Sequence, residues 1–184
     1  LLGLFGFALT FQSCGNQVDS KLSENNASPV EWSKNAVIYE VNIRQYSEEG
    51  TFKAFEEQLP RLKEMGVDIL WLMPIHPIGI ENRKGGLGSY YSIKDYTAVN
   101  PNFGTLEDFQ SIVHQAHELG MKVILDWVAN HTSFDHVWVA EHPEFYTTDA
   151  DGNFPIVAVD NDGNLTEWTD VADLNYDASG MREA

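Results

Sequence analysis

The sequence predicts an α/β fold in which a parallel sheet is covered by helices and followed by a long irregular insertion. Three observations carry this expectation. Apolar runs of strand length, nearly continuous rather than alternating, occur at residues 36–43, 67–73 and 122–128, as expected of strands buried on both faces. Segments of helical periodicity separate them. After Asn130 that periodicity disappears for the rest of the chain.

The first run, Ala36 to Ile43 (AVIYEVNI), is β-branched and aromatic with polar residues on either side, and reads as a buried strand. Phe52 to Met65 follows as a helix with Phe52, Phe55, Leu59 and Leu62 on one face and Gly66 as its stop; Pro60 either kinks it or opens a second segment. Val67 to Met73 (VDILWLM) is the second strand, ended by Pro74. A long loop leads to Thr105, which caps a helix with Asp108 at the capping-box position. Phe109, Ile112, Val113, Ala116 and Leu119 form its apolar stripe and Gly120 closes it. Lys122 to Val128 (KVILDWV) is the third strand. Beyond it, Asp149 to Asn153 and Asp160 to Asn164 are tight turns framing a short expected strand, Phe154 to Val159. An open doubly wound sheet and part of a (β/α)8 barrel both satisfy this order. The Gly-rich phosphate loop of a dinucleotide fold is missing after the first strand, where the chain reads Arg44-Gln45-Tyr46-Ser47-Glu48-Glu49-Gly50.

A hydrophobic content of 43% with 12% aromatics supplies a packed core. The net charge of −17 argues against a nucleic-acid partner, which would need clustered Lys and Arg. No Lys or Arg occurs between Lys122 and Arg182. That acidic stretch reads as a solvated surface or as the surroundings of a divalent cation. The one cysteine excludes an internal disulfide. Leu1 to Phe11 is apolar, has the length of a signal-peptide core, and is too short to span a bilayer. Cys14 follows it, preceded by Ser13, in an arrangement that resembles a bacterial lipobox. The expectation is an exported protein anchored in the bacterial envelope by lipid on Cys14, with membrane contact only through that anchor. An ordinary cleaved signal with an incidental cysteine and a buried helix are the alternatives. Residues 1–14 are read as signal, 15–31 as polar linker, 32–131 as three β/α units and 132–184 as the insertion.

Asp126-Trp127-Val128-Ala129-Asn130-His131 ends the third strand and enters a loop, the end at which parallel sheets keep functional side chains. By itself, a His there is more often structural than ligand-binding. The run resembles the Asp-x-x-x-Asn-His motif of the α-amylase family, glycoside hydrolase family 13. Upstream, Tyr91-Ser92-Ile93-Lys94-Asp95-Tyr96 and Pro101-Asn102-Phe103-Gly104-Thr105 are similar to two further family segments, and Trp71 to Ile75 to its second strand. Asp170-Val171-Ala172-Asp173-Leu174-Asn175 resembles a motif late in the family's inserted domain B.

The resemblance implies the N-terminal part of a (β/α)8 barrel with domain B after the third strand. It implies a retaining α-glycosidase acting on α-linked glucans or glucosides, with transglycosylase, α-glucosidase and trehalose synthase types as alternatives, and a non-catalytic sugar-binding member as the rival class. Tyr91 would stack on the sugar before the scissile bond, His131 would hydrogen-bond it, and Asp126 would support the floor of the site. Asn130 and Asp173 match positions that hold Ca2+ in many members. The family's nucleophile, acid/base and stabilising acid lie on its fourth, fifth and seventh strands. The chain is therefore expected to stop before the fourth strand, to contain no catalytic acid and to be inactive by itself. His114 and His117, three apart on a helix, read as a solvated face.

Overall fold

The structure, a computed structural model, describes residues 30–184 apart from residue 154. Cys14 and the expected signal lie outside the described residues. Among the described residues no helix is long and apolar enough to cross a membrane. The chain divides into two units, Leu1–Lys34 and Asn35–Ala184. The described part of the first holds one 3-10 turn, Glu31–Ser33.

In the second unit, strands β1 (Ile38–Val41), β2 (Ile69–Leu72) and β3 (Lys122–Leu125) form a parallel sheet in the order β1-β2-β3. Tyr39 pairs with Leu70 and Leu70 with Val123, so the rows run in step across the sheet. All three strands are shorter than their apolar runs. Ile43 leaves β1 to start a short helix, α1 (Ile43–Tyr46), which apolar character alone does not distinguish from strand.

The expected helix after β1 is two. In α2 (Phe52–Glu56) the Thr51 hydroxyl accepts from the Ala54 amide at 3.3 Å, and Pro60 sits in the first turn of α3 (Leu59–Glu64). Proline is tolerated there because that turn has no amide partner to lose, so Pro60 begins a segment. Gly66, at φ 88°, ends α3. Helix α4 (Leu106–Glu118) opens with the expected capping box: the Thr105 hydroxyl accepts from the Asp108 amide at 3.2 Å, and Asp108 accepts from the Thr105 amide at 2.9 Å.

The helices cover one face of the sheet. Phe52, Phe55, Leu59, Leu62, Leu70, Leu72, Ile112 and Met121 are fully buried in one cluster. The expectation of strands buried on both faces holds only in part, for Ile38, Ile124 and Leu125 are between 40% and 54% exposed.

After Asn130 the architecture is irregular, with two corrections to the expectation. A five-residue helix, α5 (Val137–Glu141), is present, its first turn closed by His136 Nδ1 accepting from the Trp138 amide at 3.1 Å. No strand forms between the two turns among the described residues; Val157 and Val159 make only isolated bridges, to Ala172 and Leu165. The chain there pairs residue by residue instead of along a ladder. Strands β4 (His131–Thr132) and β5 (Ala172–Asp173) form a short antiparallel pair.

Candidate active site

The loop between β2 and α4 is long, and polar contacts fix it at several points. The Gly79 amide donates to the Ser92 carbonyl at 2.8 Å, and Arg83 reaches back to the Gly79 and Ile78 carbonyls at 2.6 and 2.8 Å. The Arg44 guanidinium lies 4.0 Å over the Tyr90 ring and donates to the Gly88 carbonyl at 3.2 Å. A Cβ on Gly79 would collide with Ser133 Cβ and come within 2.7 Å of Asp135 Oδ1. The backbone of this loop therefore rests directly on the segment that follows His131.

These contacts bring Tyr91 to the end of β3. Its hydroxyl donates to Asp126 Oδ2 at 3.0 Å, so the carboxylate at the strand end anchors the ring from below. Burial, the bond to Asp126 and that group's charge, and the charge of Glu40 raise the Tyr91 pKa, which keeps the phenol protonated as the donor. Tyr96 stabilises the turn between β3 and β4, its hydroxyl lying 2.8 and 2.9 Å from the carbonyls of Val128 and His131.

His131 sits on β4 opposite Asp173 and is buried. Its Nδ1 lies 3.2 Å from the Asn130 side-chain amide. Where that amide donates, the neutral ring carries its proton on Nε2. Nε2 is buried without a hydrogen-bond partner. Burial lowers the His131 pKa, against the opposing pull of the nearby Tyr91 backbone carbonyl and the charges of Asp170 and Asp173. The Tyr91 carbonyl stands near the imidazole without satisfying Nε2. Such an unpaired group costs free energy unless a ligand completes it.

Tyr91 and His131 share a cavity of about 410 Å3 with Ser89, Trp168, Asp170 and Val171. A larger depression of about 800 Å3, beside Tyr39, Tyr46 and Arg61, is open and polar and holds none of these groups. The residues that line it and the unpaired Nε2 of His131 both favour the smaller cavity. The structure thus brings Tyr91 and His131 to one cavity and sets Asp126 beneath the Tyr91 hydroxyl. Trp168, Asp170 and Ser89 were not singled out from the sequence as cavity residues, although Trp168 stands just ahead of the Asp170–Asn175 motif.

Asn130 and Asp173 also approach each other across the β4–β5 pair, where the Leu174 amide donates to the Asn130 carbonyl at 3.1 Å. Calcium takes about six to eight oxygen ligands. Asp173 Oδ2 accepts from the Thr147 hydroxyl at 2.6 Å and Oδ1 from the Val159 amide at 3.1 Å. Among the described residues no three His, Cys, Asp or Glu side chains converge as metal ligands. This donor set does not by itself make a calcium site, and Asp173 acts as the hub that joins three segments. Asp149 and Asp160 spend their carboxylates on the amides of Asp151 and Asn153, and of Asp162 and Asn164, as turn residues do. His114 is exposed, 3.7 Å from the exposed Glu118.

Known proteins resemble this chain in sequence and fold. The family model for the catalytic domain of α-amylase matches residues 13–163. A trehalose synthase from Pimelobacter sp. is 36% identical over 153 residues, covering 80% of this chain and 24% of its own length. Among solved structures, an α-amylase from Lactobacillus plantarum superposes with a TM-score of 0.73 at 50% identity over 80% of this chain. A trehalose-6-phosphate hydrolase from Bacillus licheniformis superposes at 0.64 with 27% identity over 83%. The chain spans about a third of the length of these two solved relatives, 33% and 32%. The β1-β2-β3 sheet with its covering helices is the corresponding part of a (β/α)8 barrel, and the chain belongs to the α-amylase family, glycoside hydrolase family 13.

Proposed function

We propose that the whole protein is a retaining α-glycosidase acting on α-linked glucans or short glucosides, and that this chain supplies the wall that grips the reacting sugar. The observation that carries the reading is the buried, unpaired Nε2 of His131 in a cavity shared with Tyr91. A sugar offers what that cavity lacks: a hydroxyl to accept from Nε2–H and an apolar ring face to lie on an aromatic side chain. Asp126 fixes the phenol and so presets its ring. In the retaining reaction a carboxylate attacks the anomeric carbon while a carboxylic acid protonates the departing oxygen. Water or a sugar hydroxyl then displaces the carboxylate. We assign neither role to Asp126, Asp170 or Asp173, which are engaged with Tyr91, Lys84, and Thr147 with Val159. The relatives, a trehalose synthase and hydrolases, support both transfer and hydrolysis as the second step.

The test is turnover of starch, maltose and trehalose by the full-length protein, with products resolved by chromatography. Tyr91→Ala and His131→Ala should each lower kcat by on the order of a hundredfold. Variants that keep the parent rate on every substrate would cancel both assignments.

A further inference from the structure

We infer that Lys84 is a positioning residue of the sugar cavity: it clasps the outer wall, residues 165–170, to the loop after β2 and so sets the fraction of the free protein whose cavity is ready to take a sugar. The inference rests on the glycosidase reading above and adds to it a residue that stands outside the cavity lining.

No Lys or Arg occurs from residue 123 to residue 181, so the carboxylates of that stretch draw their cations from elsewhere in the chain. The loop after β2 supplies two. Lys94 pairs with Asp135 at 2.9 Å, beside the place where Gly79 meets Ser133, and Lys84 reaches the cavity wall. The Lys84 ammonium donates to the Glu167 carbonyl and lies 3.9 Å from Asp170 Oδ1. Its side chain is 51% exposed, whereas that of Asp170 is 8% exposed. A carboxylate so deeply buried is costly to keep without a cation beside it, and the cost falls away when the segment turns out to water.

Apolar burial does not hold the turn that Lys84 grips, for Leu165 and Trp168 are 65% and 55% exposed. The Trp168 amide donates to the Thr166 hydroxyl at 3.3 Å and the Val171 amide to the Trp168 carbonyl at 3.2 Å, bonds that shape the turn without tying it to the loop after β2. At the buried inner end, Ser92 Oγ donates to the Asp170 carbonyl at 2.8 Å. Without Lys84 the turn can swing out from that inner end and carry Trp168 off the cavity. Tyr91 and His131 keep anchors of their own in Asp126 and Asn130. A segment with little apolar burial and few polar ties opens at low cost. Sugar then finds a closed wall in only part of the population, and its apparent dissociation constant rises by the reciprocal of that part. Once bound, it meets the same Tyr91 and His131, so Lys84 acts on KM and not on kcat.

The experiment uses the full-length protein and whichever of starch, maltose and trehalose it turns over fastest. Lys84→Met keeps a long unbranched side chain and removes the charge; it should raise KM by roughly three- to tenfold and leave kcat within about twofold. Lys84→Arg, which keeps charge and donors, should return KM to within about twofold of the parent. In hydrogen exchange of the free protein, the amides of residues 165–171 should exchange faster in Lys84→Met than in the parent, and those of residues 89–96 at the parent rate. An unchanged KM, a loss confined to kcat, no recovery with Arg, or unchanged exchange over residues 165–171 would overturn the clasp while leaving the glycosidase reading intact. A parent inactive on all three sugars would overturn both.

Discussion

The sheet with its helices and the segment after Asn130 are built on different principles. In the first, Phe52, Phe55, Leu59, Leu62, Leu70 and Leu72 are each fully excluded from solvent, and Asn100 is its one buried residue with a side-chain amide. In the second, Thr132, Ser133, His136, Asp170 and Asp173 are buried beside a small cluster around Phe145, Tyr146 and Leu174. Apolar burial is additive in area and indifferent to direction, so the first region needs only shape. Buried polar groups need named partners in set geometry. That is why the second region can hold the His131 ring in place with its Nε2 unpaired, and why its parts cannot be exchanged freely.

The contrast is sharpest in stability. Phe52 meets Phe103 and Phe109 with ring centroids 5.8 Å away in both cases. Phe52→Ala should cost about 3–5 kcal/mol in equilibrium urea unfolding of the full-length protein, and a loss below about 1 kcal/mol would mean that the helical layer is not the main core. Asp173→Ala removes one acceptor from both Thr147 and Val159 and should cost about 2–3 kcal/mol in the same assay. Asp173→Asn, which keeps an acceptor, should cost less. If the two Asp173 variants are equal, the hub reading is wrong.

The smallest effect is one of pH. His136 is packed between Tyr96 and Trp138, and burial pushes its pKa down to about 4, against the pull of Asp95 and Asp135. The unfolded chain titrates this group near 6.5 and so binds the proton more readily than the folded one. His136 therefore contributes fully above about pH 6.5, and its contribution drains away as the pH falls toward 4. The urea midpoint of the parent should drop more steeply from pH 7 to 4.5 than that of His136→Asn, which retains a capping acceptor. Parallel slopes would remove His136 from the account.

How much of this was legible in the sequence follows the same division. Local signals of familiar residue types read correctly: the Thr105–Asp108 box spans three residues, and Gly66 and Gly120 end their helices with positive φ. The strand ends and α1 were misread because Ile43 is equally at home in either structure. Helix α5 was missed because its cap is a histidine, a residue outside the usual capping set. Tyr91, Asp126 and His131 were singled out through the family motifs and not through periodicity. Trp168 went unseen as a cavity residue because the contacts that bring its segment to the cavity are tertiary: the bond from Lys84 to Glu167 spans 83 residues and that from Ser92 to Asp170 spans 78.

Gly79 ties these threads together in evolutionary terms. With Ser133 and Asp135 against the space that a side chain would fill, any substitution there must displace the stretch next to His131. The two loops also meet where the Ile80 amide donates to Asp135, the Ser133 amide to the Ile93 carbonyl at 2.8 Å and Lys94 to Asp135 at 2.9 Å, so an exchange of the loop after β2 that does not bring its matching partner after β4 should fail along this seam. Selectivity engineered by grafting should therefore move both loops together or keep Gly79 and vary the chain only beyond it.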